Sequence, residues 1–377
     1  MVELWTDAEQ DILTDIARII ANYDYATPAA QKQVQLLRAT GATQKAIRQA
    51  LSAITGKSEA EIKRLMQTAG DAVVQNESDY YKAADVYKAT AVNTKALNKV
   101  LNQGTQATLA DLRTIIQNTV TVGSSQVYTA IDRAQLLVST GAMSQESAIK
   151  SAIKQLAQAG LGTTVTYQKN GRITQRTSIE AAVRRAVQTG VNQTALKISD
   201  ELADELECDL VEVSAHEGAR PSHALWQGRI YSRSGKSEKY PKLSTATGYG
   251  TITGLGGINC RHTFGPYVEG MSRTYTDEYL QQLQDSKVTY NGKEMSEYEA
   301  TQVQRYQERQ IRRYKREAAM CEAVDDEAGA AAANARVQEW RAKQQSFTRQ
   351  TGLRRQYERE NIVTIAPTAA QATENRV

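Results

Sequence analysis

Helical periodicity fills both ends of this chain and breaks down in its centre, and that change of rhythm limits the folds open to it. At the start, "DAEQDILTDIARIIANY" sets Ile12, Ile16, Ile19, Ile20 and Tyr23 on one face at helical spacing. Ser58 with Glu61 in "SEAEIKRLM", and Thr108 with Asp111 in "TLADLRTII", match the hydroxyl-then-acid pattern of a helix start. The stretches "ATGAT" and "LNQGTQAT" read as short links between helices. Near the other end, "EYEATQVQRYQERQIRRYKREAAMCEAV" puts Val303, Tyr306, Tyr314, Ala318 and Cys321 on one face, with Arg305, Arg309, Arg312 and Arg316 on the opposite one. A further helix, "AAAANARVQEWRAKQQSFTRQ", carries Val337, Trp340 and Phe347. Only five prolines interrupt 377 residues, so long helices are sustainable.

The centre follows another rule. "TTVTYQKNGRITQRT" (163–177) alternates on both sides of Lys169-Asn170-Gly171, a hairpin signal, and Asn291-Gly292 in "KVTYNGKEM" marks a second. Between them lie a helix opened by Ser178 and Glu180, a short strand in "CDLVEVSAHEG", and a Gly/Ser/Thr/Lys-rich stretch, 232–259, with little regular structure. The expected fold class is therefore α+β, mainly α. It comprises a helical region over 1–160, a small α+β core over 161–275, a helical region over 276–361 and a disordered tail over 362–377.

The chain's chemistry gathers in that core. All three histidines, His216, His223 and His262, lie within 47 residues, and Cys260 sits two positions before His262. Imidazole and thiolate are the usual zinc ligands, and three His with one Cys would fill a tetrahedron, closing the site and favouring a structural role. Cys260 and His262, two apart, point to one side of an extended segment, and the turn-prone "EGARPS" would bring His216 and His223 together. The competing reading is a polar network in which each imidazole is tied to backbone or carboxylate. A metal-dependent hydrolase or nuclease using His216, His223 and His262 is the enzymatic alternative. Gly218 and Pro221 rule out an HExxH helix after His216, and both segments lack acidic residues for a magnesium site.

Other chemistry is weakly represented. Gly56-Lys57-Ser58 and Gly235-Lys236-Ser237 lack the earlier glycine of a phosphate loop, having Leu51 and Ile230 there. Cys260 has no following helix start to make it a nucleophile. Cys208, Cys260 and Cys321 are odd in number and widely spaced, which speaks against a disulfide scaffold and for a reducing cytoplasm. No run of 18 apolar residues exists, and the acidic start is unlike a signal peptide, so no membrane association is expected. A net charge of +4 gives no global steering toward nucleic acid. Arg305, Arg309, Arg312 and Arg316 would grip phosphates, contact acidic protein, or form a solvated face. Tyrosine, with 18 residues against two phenylalanines, suits contact surfaces.

The segments "VEVSAHEGARPSHALWQGRIYS" and "GYGTITGLGGINCRHTFGPYVEGMSRTY" resemble the core of the phage minor capsid protein 2 family, which is similar to the broader Mu F-like head-morphogenesis group. "VRRAVQTGVNQTA" and "YEATQVQRYQERQIRRYKRE" extend the resemblance over about 165–360. It implies a non-enzymatic, low-copy virion protein made in the host cytoplasm and built into the capsid near the portal. Its implied partners are portal protein or major capsid protein and packaged DNA, with no small-molecule substrate. In the Mu F-like group the matching segments carry CxxC and HxNCRC-like ligands. Here the pairs are His216 with His223 and Cys260 with His262, a departure in ligand type that keeps the two-plus-two arrangement. The resemblance thus implies a cross-link, structural zinc or otherwise, clamping two loop-rich segments. Arg220, Trp226, Gln227, Gly228 and Asn259 would buttress it.

Overall fold

The computed structural model describes residues 2–22, 25, 41–85, 93–167 and 173–362. Five helices come first: α1 (Val2–Ala21), α2 (Ala42–Ala53), α3 (Thr55–Ala83), α4 (Thr94–Ser139) and α5 (Gln145–Ala159). A hairpin of β1 (Gly162–Tyr167) and β2 (Ile173–Ser178) leads into α6 (Ile179–Glu205). The centre holds β3 (Leu210–Val213), α7 (Pro221–Ala224), β4 (Ile230–Ser232), α8 (Leu243–Thr247) and β5 (Phe264–Pro266). Then come α9 (Asp277–Asp285), the hairpin β6 (Lys287–Tyr290) and β7 (Lys293–Ser296), α10 (Glu297–Glu322), α11 (Glu327–Thr351) and a short 3₁₀ turn, Tyr357–Arg359. The fold is mainly α with a small β part, as expected.

Local signals place many of these boundaries. The Ser178 hydroxyl accepts the Ala181 amide and starts α6. Ser296 and Glu299 form a reciprocal capping box at α10. Asn291 and Gly292 take φ of 48° and 77°, closing β6 onto β7 as the Asn-Gly pair demands. The turn at Lys169-Asn170-Gly171 lies outside the described residues, as do Tyr23 and 363–377 of the expected tail. Ile362 is buried.

Two expected helix starts prove to be helix interiors. Ser58 lies within α3, where its hydroxyl donates to Ile54 O and receives the Trp5 indole N–H at 3.0 Å. The "LNQGTQAT" stretch is no link: α4 runs through it unbroken for 46 residues. Its glycine serves packing. A Cβ on Gly104 would stand 2.0 Å from Thr194 Oγ1, and one on Gly190 would stand 2.1 Å from Thr108 Oγ1. The two glycine–threonine pairs interlock α4 and α6 at a separation that no larger residue permits.

One apolar core joins α1, α2, α3, α4 and α5 with Ile179, Val183 and Val187 of α6 and Met320 of α10. It therefore crosses the expected boundary at 160. Trp5, Leu13, Ile16 and Ile20 of α1 are buried in it, whereas Ile19 faces outward. A second, smaller core gathers Val211, Val213, Trp226, Tyr231, Leu243, Leu255, Cys260 and Phe264 around Leu196 of α6. The sheet there has the order β4-β3-β5, all antiparallel.

The largest departure concerns α10. Its arginines do not form one exposed line: Arg312 and Arg316 are 9% and 8% exposed. Arg312 meets Glu180 of α6 at 3.0 Å, and Arg316 Nε donates to Ala157 O at 3.0 Å. Arg305 pairs with buried Glu308 at 3.1 Å, and Arg359 approaches the same carboxylate at 3.8 Å. Glu9 of α1, beside Arg316, accepts the Leu161 amide at 2.7 Å, and burial holds its carboxyl above the ordinary range despite that arginine. Conversely Tyr306, expected on the buried face, is 48% exposed. Buried carboxylates on other elements draw the guanidinium face inward, because an ion buried without a partner costs several kcal/mol. Of the four, only Arg309 is exposed.

Two predictions follow from this packing. Gly104→Ala lowers the melting temperature although alanine is the better helix former by about 1 kcal/mol, and adding Thr194→Ala restores it; denaturant titration of both variants checks this. The second concerns Glu77 of α3, 6% exposed, whose Oε1 accepts the Ser199 hydroxyl at 2.5 Å. Burial, with Asp200 adding repulsion, pushes its pKa up to about 7. The folded state thus keeps a proton that the unfolded chain loses above pH 4.5. Stability from this group is full below that pH, falls until about pH 7, and is then flat, a loss of roughly 3 kcal/mol. Glu77→Gln removes this dependence in unfolding curves measured between pH 4 and 8.

Candidate functional site

The site forms where the segment after β3 meets the segment before β5, which is bonded to α6. Pro221 starts the short α7, which carries His223, and Arg220 just before it donates to Ile258 O at 2.9 Å. The opposite segment arrives through tight turns: Gly257 N bonds Gly254 O, and Asn259 holds φ of 56° while its amide donates to Thr189 of α6. These turns bring His223, Cys260 and His262 together, each at most 3% exposed. One ligand atom from each lies within 4.8 Å of the others.

The hydrogen bonds fix which ring nitrogens are bare. His223 Nε2 lies 2.9 Å from Thr253 O, and His262 Nε2 lies 3.0 Å from Gln227 Oε1. Gln227 Oε1 also receives the His216 amide at 3.1 Å, which identifies it as the oxygen of that side chain. Both partners only accept, so both Nε2 atoms carry the proton and both Nδ1 atoms carry a lone pair. Each Nδ1 lies 3.7 Å from Cys260 Sγ. A neutral thiol has one proton for those two lone pairs, so the cluster is one donor short. Ligands at zinc's usual bond lengths would set sulfur and nitrogen about 3.6 Å apart on the edge of a tetrahedron. The residues fit a soft divalent ion, and their outer nitrogens are already anchored as such ligands require.

His216 departs from the expected set of four. It lies outside the three-ligand group and stacks on His262, with centroids 4.2 Å apart. Its Nδ1 donates to Glu217 O at 2.8 Å, which leaves Nε2 bare, buried and without a partner. Burial lowers the pKa of all three imidazoles, that of His262 to about 3 with the neighbouring histidines and Arg261 adding to the effect. Two neutral rings thus face one thiol, and a third stacks behind His262.

The expected buttress residues take concrete roles. Trp226 packs against His223 and His262 at 4.5 and 4.8 Å. Gly228 adopts φ of 66°, and a Cβ there would fall 2.4 Å from Leu280. Three further contributors come from α6 within "TGVNQ", residues 189–193. Asn192 Nδ2 donates to Cys260 O at 3.1 Å and His262 O at 3.2 Å, Gln193 donates to Gly256 O at 2.9 Å, and Thr189 receives Asn259. Their signal was a polar patch at positions 189, 192 and 193, one helix face. An open cleft of about 680 Å³ borders the cluster, lined by His223, Trp226, Arg229, Tyr231, Tyr240 and Arg273 among others. Leu225 at its edge is 73% exposed.

Among the described residues, no helix is long and apolar enough to cross a membrane. No solved structure matches the chain. A protein of Lactococcus phage LL-H named "Structural protein" is 29% identical over 239 residues, 61% of this chain and 60% of that protein. The chain therefore spans about 60% of the length of that curated relative. A family model described as phage minor capsid protein 2 matches residues 1–349, nearly the whole chain and all of the His/Cys cluster. By that match the chain belongs to the phage minor capsid protein 2 family, a family of phage structural proteins.

Proposed function

We propose that this protein is a non-enzymatic structural component of a tailed-phage virion, sited near the portal, where it aids head assembly and the packaging or delivery of DNA. Family membership and the structural phage relative support the virion role. The portal site, with portal or major capsid protein as the neighbour, rests on the family resemblance. The exposed Leu225, Ile252 and Ile258 offer apolar contacts to such a neighbour.

Within the protein, the His/Cys cluster clamps segments 214–231 and 254–264 through a structural zinc ion. One observation carries this reading: two bare imidazole nitrogens face a single buried thiol at 3.7 Å. His223 and His262 through Nδ1 and Cys260 through Sγ would hold the ion, and His216 would supply a fourth nitrogen after a small ring movement. Zinc would bind the segments together without redox chemistry. The second core is small, so such a link would add stability that its apolar surface does not provide. The hydrolase alternative would use His216, His223 and His262 beside the neighbouring cleft, but the ligand group around Cys260 contains no carboxylate to serve as base.

Metal analysis of the purified chain should give about one zinc per chain, and chelation should lower the melting temperature. Cys260→Ala and His223→Ala should lose both metal and cooperative unfolding. A metal-free protein of unchanged stability would refute the clamp, and one that stays folded but loses a hydrolytic activity would favour the enzyme. Electron cryomicroscopy of intact particles should show the protein at the portal vertex; density spread over the whole shell would refute that placement.

A further inference from the structure

The outer face of the α10–α11 hairpin carries a cation–aromatic array distinct from the buried arginines. Tyr306, Arg309 and Arg313 follow one another at helical spacing on α10, and Arg336, Glu339, Trp340 and Lys343 do so on α11. Tyr306 and Trp340 meet edge to face at 5.6 Å, joining the two rows. Lys343 Nζ lies 4.4 Å from the centre of the Trp340 ring, and the Arg309 guanidinium 6.0 Å from that of Tyr306. Arg313 and Arg336 approach Tyr314 at 5.5 and 5.8 Å. Glu339 is the one carboxylate among them, bonded to Arg336 at 2.6 Å and Lys343 at 2.7 Å. Nearby Glu317 is offset by Lys154 at 3.4 Å.

We infer that this face binds the phosphate backbone of duplex DNA, with Arg309, Arg336 and Lys343 as its contacts. The inference rests on the virion role proposed above and gives that role a DNA-contacting surface. Three exposed cations, Arg309, Arg336 and Lys343, stand against one carboxylate, while Arg313 turns to Gln158, so the face suits a polyanion. A ring beneath a guanidinium restricts its rotamers while leaving its edge N–H groups free, and such donors suit phosphate oxygens. An acidic protein is the less suitable occupant. Protein interfaces bury an apolar centre, and Tyr306 is the one large apolar side chain exposed on this hairpin among the described residues. Exposed aliphatic side chains lie elsewhere, at Leu225, Ile252 and Ile258. Backbone contact with DNA needs no such centre and depends on charge.

The test measures binding of a random-sequence duplex against salt between 50 and 200 mM, using the full chain. Each phosphate contact contributes about 0.9 to the slope of log affinity against log salt. The triple variant Arg309→Gln, Arg336→Gln, Lys343→Gln should therefore flatten the slope by about 3, and Arg309→Glu alone by at least 1. Lys57→Gln and Lys63→Gln, exposed on α3 away from both the clamp and the hairpin, should leave it unchanged. Circular dichroism melts confirm that each variant folds. An unchanged slope in the folded triple variant overturns the inference, as does polyglutamate displacing DNA at equal charge concentration with the same dependence on these residues. Incorporation of the chain into particles is scored separately. A triple variant that enters particles yet binds DNA like wild type refutes this surface alone, whereas a chain absent from particles refutes the virion role.

Discussion

Irregular backbone that is buried must still satisfy its amides and carbonyls, and the loop-rich centre of this protein meets that demand by leaning on one helix. From α6, Asn192 takes the carbonyls of Cys260 and His262, Gln193 takes that of Gly256, and Thr189 takes the Asn259 amide. Further along, Asp200 receives Arg233 and the Tyr249 hydroxyl. Those bonds hold the loop still enough for Cys260 and His262 to face His223. The same helix contributes Ile179, Val183 and Val187 to the apolar core on its other flank. Tight glycine–threonine contacts with α4 lock it in place, so the position of the cluster is inherited from helix packing.

Charge reinforces this arrangement from the opposite end. Glu180, in the first turn of α6, receives both Arg184 and Arg312. Glu9 bridges α1 to the start of β1 beside Arg316. Removing one member would strand its partner in a poorly solvated place, so these ions specify how α10 seats against the earlier helices more than they add net stability.

The parts of the fold that sequence foretold are those governed by neighbours in the chain. The Asn291-Gly292 turn, the Ser178 cap, the long helices and the gathering of His223, Cys260 and His262 all have causes within a few residues or an unusual composition. The parts that escaped it depend on distant partners. Gly104 looks like a link until Thr194 is seen against it. Arg312 and Arg316 look solvated until the carboxylate of Glu180 and the carbonyl of Ala157 receive them. His216 looks equivalent to the other histidines, but its Nδ1 bonds Glu217 O and its ring lies outside the group that His223, Cys260 and His262 form. Hydropathy assigns a face to each helix on average preference, and it fails where ions pair in the interior.

The unbroken helix α4 has a consequence of its own. Thr108, gripped against α6, and Leu136, 61% exposed near the far end, lie 28 residues apart on one continuous rod. That is about 42 Å at the rise of an α-helix. Bending is costly in so long a rod, so the distance from its packing contact with α6 to the exposed leucine near its far end is fixed by backbone geometry alone.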